Sequence, residues 1–443
     1  CQGAFRASRE AAAMSGTIPA MNGYLNKNKR RVRPIGRIWM IIGALALAAL
    51  LVYQIPAVKS RLSWRVDAAA TYVRSRLDPA GALPTPNIAT TPLAELTATA
   101  TMTLLPTATV QASPTPQPSP TPLPVNVQMT PPAWEKEDWN ACGPATLSMH
   151  LKMYGWSGDQ FTVSSVIKPL REDRNVNIEE LVYYVRTQVG WLNAEYRVGG
   201  DVDILKRLIA NGFPVMIEGT FMLTPDNPYL RYNDDRWAGH YILLTGYDDA
   251  AQTFTAQDSE LGPNQQVPFA QLDSDWQAFN RVYLVLFTTE QQALLQQTLG
   301  EEWDADVNRQ HALDEALQET QNDPQNAFAW FNLGTNMAYF GRYPEAAQAY
   351  DQARTIGLPQ RMLRYQFGPF MAYFNTARYD DMIALADYAL KITSNSEEAL
   401  LWKGWALYRK GDKPGALEQF QKALDARPDY SDALYALDFV QNN

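Results

Sequence analysis

The amino-acid sequence predicts an α+β domain followed by an all-α solenoid of helix pairs, both behind an N-terminal transmembrane helix. Three observations carry this. An uncharged apolar run fills Ile38 to Val58. From Trp134 to about Thr289, a helix-led start gives way to strand patterns in mainly antiparallel order. Beyond that, Gly300, Gly334 and Gly368 stand 34 residues apart and Gly404 follows after 36, the period of a helix–turn–helix repeat.

Composition narrows the function. The chain has 443 residues and a net charge of −9, with a pI of about 5.1, so nucleic acid is not an expected partner. A disulfide between its two cysteines, Cys1 and Cys142, would tie the extreme N-terminus to a distant domain, so Cys142 is left over. The three histidines, His150, His240 and His311, show no metal-ligand spacing, and there is no Cys/His cluster. Neither a metal nor another cofactor is expected.

Residues 1–37 read as a cytoplasmic segment. The sequence starts on Cys1, with Met14 and Met21 as alternative starts. A mature lipoprotein also begins on Cys, but here a membrane segment follows. Lys27, Lys29, Arg30, Arg31, Arg33 and Arg37 form a basic cluster ahead of it. Residues 38–58, the predicted anchor, would span about 30 Å as a helix. Trp39 and Tyr53 fall near the two interfaces, and the basic cluster keeps the N-terminus inside. A cleaved signal peptide is the competing reading, although the apolar core is long for one and no small-x-small cleavage site follows. The rest of the chain is therefore expected outside the cytoplasm, on a single-pass anchor.

Residues 59–132 are the expected extracytoplasmic linker. Lys59 to Leu77 fits a juxtamembrane amphipathic helix. From Asp78 on, Pro, Thr, Ala and Ser dominate, with SPTPQPSPTPLP at 113–124. That composition favours extended polyproline II over a packed core.

The α+β domain is expected over 133–289. Leu147, Leu151 and Tyr154 recur at helical spacing and put Cys142 at a helix N-terminus, where orphan N–H groups and the helix dipole favour a thiolate. A buried structural cysteine is the alternative. A second helix is read over 178–191, and a helix, Gly212, Pro214 and a strand over 201–219. His240 to Asp249 and Thr253 to Asp258 form a hairpin, and Arg281 to Phe287 a last strand. A thiol nucleophile needs a base and an orienting group. His150 lies eight residues along the same helix, about 12 Å away and out of reach. His311 falls in the repeats. His240 opens an apolar strand, and the hairpin sets Asp258 beside it. A surface histidine and a turn-forming aspartate are the alternatives.

At this point the residues match a family pattern. WNACGPATLSMHLKMYGW (139–156) resembles the nucleophile helix of the C39-like cysteine peptidases, a branch of the papain-like superfamily. The segment Leu205 to Gly219, GHYILLTGYDD and AQDSELGP follow in that family's order. The resemblance covers Trp134 to Thr289 and implies a papain-like α+β fold acting on a peptide or protein substrate. Carried over, Cys142 is the nucleophile, His240 the general base and acid, and Asp258 the group that orients the imidazole. One position departs. The family usually has Gln five residues before the cysteine, where its amide helps build the oxyanion hole; here that residue is Glu137. An ionised carboxylate would repel an oxyanion, and losing one such donor costs about 100- to 1000-fold in rate.

Residues 290–443 resemble tetratricopeptide repeats. Trp330, Leu333, Gly334, Gly341, Ala346, Tyr350 and Ala353 make the second unit, and Gly404, Gly411, Ala416, Phe420, Ala423 and Pro428 the fourth. The first is degenerate, the third carries a two-residue insertion, and Ser431 to Val440 fits a capping helix. A protein partner is the implied ligand. The leading expectation is a membrane-anchored, outward-facing cysteine peptidase with a partner-binding repeat array. The alternatives are a catalytically weak scaffold and another thiol acyl transfer, such as cell-wall amide hydrolysis or transamidation.

Overall fold

The computed structural model describes residues 35–79, 81–87, 122–169, 176–227 and 230–443. The predicted cytoplasmic segment up to residue 34 and the Pro/Thr-rich stretch 88–121 lie outside the described residues. The chain divides into two compact units, one ending at Arg61 and one running from Leu62 to Asn443.

Helix α1 (Ile35–Tyr53) carries the apolar run, with Trp39, Leu45 and Leu51 exposed. It stops at a turn over Gln54 and Ile55, and α2 (Pro56–Leu77) follows. Pro56 sets this break. It can open a helix, where its missing N–H is no loss, but it cannot continue one. The run predicted over 38–58 is thus split between two helices. Among the described residues, no helix is long and apolar enough to cross a membrane.

The stretch read as a free linker is anchored at both described ends. Leu83 is buried, the Arg354 guanidinium donates to the Pro84 carbonyl, and the Asn87 N–H donates to Asp381 Oδ1 at 2.9 Å. At the other end, β1 (Asn126–Gln128) is a strand of the main sheet.

The mixed domain follows, with α3 (Cys142–Lys152), α4 (Gln160–Ile167), α5 (Ile178–Tyr184), β2 (Asn193–Arg197) and α6 (Val202–Ala210). Then come β3 (Val215–Met222), β4 (Trp237–Asp248), β5 (Thr253–Asp258), β6 (Gly262–Pro268), α7 (Phe269–Gln277) and β7 (Tyr283–Phe287). The sheet order is β2-β7-β3-β4-β5-β6, with β1 also paired to β4, and every pairing is antiparallel. Helix α3 packs on one face of β4, and α6 packs on the opposite face with Trp276 of α7.

The helical region comprises α8 (Gln292–Leu299), α9 (Ala305–Asn322), α10 (Ala327–Tyr339), α11 (Tyr343–Ile356), α12 (Met362–Tyr365), α13 (Gly368–Asn375), α14 (Tyr379–Ile392), α15 (Glu397–Arg409), α16 (Lys413–Ala426) and α17 (Ser431–Asn442). In the third unit the first helix is broken into α12 and α13, with Pro369 in the first turn of α13. At Gly404 a Cβ would come within 2.4 Å of the Phe420 ring, so glycine is what lets α15 and α16 close on each other.

Mixed domain and repeats share one hydrophobic core, from Leu147 on α3 to Ala406 on α15. Gly199 sits where a Cβ would lie 2.7 Å from Ala312 of α9, which brings the β2–α6 loop against the helices. Asn308 donates to the Val198 carbonyl and accepts from its N–H, and Asn280 bonds Asn336 at 2.7 Å. The boundary drawn at 289 is a change of architecture inside one packed body.

Candidate active site

His240 lies on β4 opposite Gly219 of β3, and Ile242 pairs with Asp258 at the end of β5. Residues two apart on a strand share a face, so His240 and Asp258 meet on one side of the hairpin. Nε2 of His240 lies 2.9 Å from Asp258 Oδ1. The same oxygen accepts the backbone N–H groups of Glu260 and Leu261, at 2.7 and 2.9 Å. Asp258 is therefore held by its own turn and aims the imidazole. Phe221 packs against the ring with centroids 4.8 Å apart.

Cys142 is the first residue of α3. Asn140, two residues earlier, has φ of 50°, a left-handed turn conformation that asparagine tolerates. The Ala141 N–H bonds the Asp138 carbonyl at 3.1 Å, which closes the turn into the helix. Cys142 is half-buried and free, and its sulfur lies within 4.8 Å of a His240 ring nitrogen.

The segment before it is fixed on two sides. Toward β5, the Trp134 indole donates to the Asp258 carbonyl and the Glu137 N–H to the Ser259 carbonyl. Toward α4, Gln160 accepts from the Asp138 N–H and donates to the Lys136 carbonyl, while Glu135 accepts from Ser148, Lys152 and the Gln160 N–H. Sequence reading missed Glu135 and Gln160. Glu135 is half-buried and Gln160 buried, both flank the 139–156 stretch without belonging to its pattern, and their tertiary contacts reveal them.

These placements set the charges. Burial opposes the imidazolium of His240, but the Asp258 hydrogen bond, the neighbouring Cys142 sulfur and the nearby Glu137 charge outweigh it, and its pKa rises well above 6.5. Asp258 is held below the usual carboxylate range, because His240 and the two N–H donors outweigh its burial. Burial pushes the Glu137 carboxyl up, against the pull of His240 and Ser259. Glu137 Oε2 accepts the Ser259 hydroxyl at 2.7 Å and lies 3.8 Å from His240 Nδ1. The structure thus brings together all four residues singled out in the sequence. His150 is fully buried in α3, and burial pushes its pKa down to about 3. His311 pairs with Glu302 at 2.7 Å, in the helical region.

A cleft of about 370 Å³ opens over Cys142 and His240. One wall comes from the helical region, with Arg361, Arg364, Tyr365, Ile392 and Thr393. Arg364 donates to Asn140 Oδ1 at 3.0 Å, so the repeats touch the turn before the cysteine. Arg361 bonds Asp234 and the Trp237 carbonyl at the foot of β4. Among the described residues, one group has metal-ligand geometry: a Glu137 oxygen, the Cys142 sulfur and a His240 nitrogen lie within 4.8 Å of one another. Linear spacing gave no sign of it, because the fold alone assembles these three.

Comparison with known proteins follows the same division. Residues 122–284 match the Peptidase_C39 like family, and residues 397–430 match the Tetratricopeptide repeat. No curated protein matches the chain. Among solved structures, a putative C39-like peptidase from Bacillus anthracis is 15% identical and covers 37% of this chain and 98% of its own, with a TM-score of 0.29. Xylellain, a cysteine protease from Xylella fastidiosa, is 15% identical and covers 38% of this chain and 87% of its own, with a TM-score of 0.29. YrrB, described as a TPR protein with an unusual peptide-binding site, is 19% identical and covers 33% of this chain and 88% of its own, with a TM-score of 0.18. This chain therefore carries a C39-like peptidase-family domain at residues 122–284 and a tetratricopeptide repeat at residues 397–430.

Proposed function

We propose that this chain is a membrane-anchored, extracytoplasmic cysteine peptidase acting through Cys142, His240 and Asp258. The observation that carries the reading is the arrangement of the three side chains: His240 bonded to Asp258 at 2.9 Å on one side, with the Cys142 sulfur, at a helix start, within 4.8 Å of a ring nitrogen on the other. Cys142 attacks the peptide carbonyl as the thiolate, its proton held on Nδ1 of His240. The C–S bond forms as the π pair moves to oxygen. The intermediate then collapses, the C–N bond breaks, and the leaving amine takes the proton from His240. Water, giving a proton to His240, next attacks the thioester and releases the acid and the Cys142 thiolate, with the proton left on His240. Asp258 keeps the ring oriented and stabilises the imidazolium throughout. The orphan N–H of Cys142 at the start of α3 faces the developing oxyanion.

The uncharged run 38–58 behind a basic cluster supports the anchor, and the helical repeats support a role in binding a protein partner or the substrate itself. The test is labelling and turnover. The purified chain should react with a thiol-directed probe at Cys142 and cleave peptides from a library, and Cys142→Ala should lose both. No Cys142-dependent cleavage, against either peptides or cell-wall fragments, would end the enzyme reading. Glu137 favours one second reading, a domain too slow to be an enzyme that serves as a scaffold for the repeats. In that case Cys142→Ala leaves the cellular role intact.

A further inference from the structure

We infer that Glu137, Cys142 and His240 form a binding site for a zinc-class divalent cation, and that the bound metal closes the thiol to substrate. The closing effect rests on the peptidase reading; the binding site does not.

The donor set fits that class of ion. A thiolate, an imidazole and a carboxylate are the ligands that borderline-soft cations take, and two anionic ligands match a doubly charged ion. The geometry is close. Tetrahedral zinc, with bonds of about 2.0–2.3 Å, sets its ligand atoms roughly 3.3–3.6 Å apart. Glu137 Oε2 and His240 Nδ1 are already 3.8 Å apart, and all three donor atoms lie within 4.8 Å. Small side-chain rotations close the rest.

The surroundings are those of a built site. His240 has one nitrogen committed, Nε2 to Asp258 at 2.9 Å, which leaves Nδ1 facing Glu137 and Cys142. A carboxylate behind a histidine in this way fixes the tautomer a metal needs and raises ligand basicity. Glu137 is steadied by Ser259 through both its side chain and its backbone N–H. The fourth coordination position opens on the cleft and is available to water or a substrate group. Glutamine at position 137 would offer only a neutral amide oxygen, so the departure from the family pattern supplies the second anionic ligand. On binding, the protons held by the Cys142 sulfur, His240 Nδ1 and the Glu137 carboxyl leave to solvent, and sulfur–, nitrogen– and oxygen–metal bonds form. No redox change is involved. The sulfur's negative charge is then drawn to the metal, which lowers its nucleophilicity, and Nδ1 is no longer available to carry a proton.

The experiment uses the full chain, reduced, stripped with chelator and titrated with cobalt(II) and then zinc(II). One equivalent of cobalt should give a thiolate-to-cobalt charge-transfer band that zinc displaces, and zinc should slow alkylation of Cys142. Cys142→Ser should abolish the band. Asp258→Asn should weaken binding about 10- to 100-fold, and Glu137→Gln by at least about tenfold, with unchanged thermal melts as the folding control. Absence of the band, or undiminished affinity in Glu137→Gln, overturns the site. Binding without any peptide cleavage keeps the site and sinks the peptidase instead. Full cleavage at saturating zinc with the band present sinks the closing effect.

Discussion

Replacing Glu137 by Gln isolates what one charge does at this site. The two side chains have nearly the same shape, so the Ser259 hydrogen bond and the packing survive. The carboxylate sits 3.8 Å from His240 Nδ1. At an effective dielectric of about 20, charges at that distance interact by about 4 kcal/mol. That attraction favours the imidazolium, while the adjacent thiolate and any oxyanion are repelled on a similar scale. Burial raises the Glu137 pKa, so the protonated form, a donor to the oxyanion, persists above the ordinary carboxylate range. It is lost as pH climbs through that raised value. The wild type should therefore be most active on the acid side and decline as Glu137 ionises. Glu137→Gln supplies an amide N–H at every pH, and its advantage should grow with pH to about 100- to 1000-fold. The assay is kcat/KM against pH for both proteins, with chelator present throughout, on any peptide or activated ester that Cys142 turns over. A ratio that stays flat with pH, or falls below one, refutes the reasoning and makes the Glu137 carboxylate a helper of His240.

Three further outcomes follow from the same contacts. The Asp258 hydrogen bond is the largest of the effects that raise the His240 pKa against its burial; Asp258→Asn should move the basic limb of the kcat/KM profile to lower pH, because the imidazolium is then lost sooner as pH rises. Arg361 and Asp234 are both almost wholly buried where the repeats meet β4; Arg361→Ala should lower stability by about 3 kcal/mol, the low end for a broken buried pair, because Asp234 keeps the backbone N–H groups of Arg231 and Arg236. Thermal unfolding measures it, and Arg361→Met with Asp234→Leu should recover part of the loss. Leu83 is buried against the helical region; Leu83→Ala should cost about 2 kcal/mol of local stability and make the chain near it cleave earlier in limited proteolysis.

How much of this was legible in the sequence depends on the range of the interaction. Cys142 at a helix start follows from a polar turn and helical spacing within one short window. Asp258 beside His240 follows from hairpin geometry eighteen residues long, and the 2.9 Å contact agrees. The strand β6 (GPNQQVP) escaped because its edge position leaves most of its side chains exposed and gives no apolar alternation. Leu83 and Pro84 were hidden inside a composition that reads as spacer; what orders them is a buried arginine, Arg354, whose donors need acceptors. The break at Pro56 lies inside a long apolar run whose hydropathy does not register a single proline.

The largest gap lies between the two domains. Each half announces its own fold through local periodicity, and neither announces the other. Yet Arg364 of the repeats holds Asn140, two residues before Cys142, and Arg361 holds the foot of the strand that carries His240. Such contacts lie more than a hundred residues apart in sequence and leave no local signature. Their effect is to make the repeats a wall of the cleft as well as a neighbour to it. A ligand that shifts α12 bears on the nucleophile turn through the Arg364–Asn140 hydrogen bond and on the start of β4 through Arg361, which donates to the Trp237 carbonyl and pairs with Asp234 just before the strand. Binding at the repeats and chemistry at Cys142 therefore share residues, and a version of this domain cut at position 289 would lose part of its own active-site cleft.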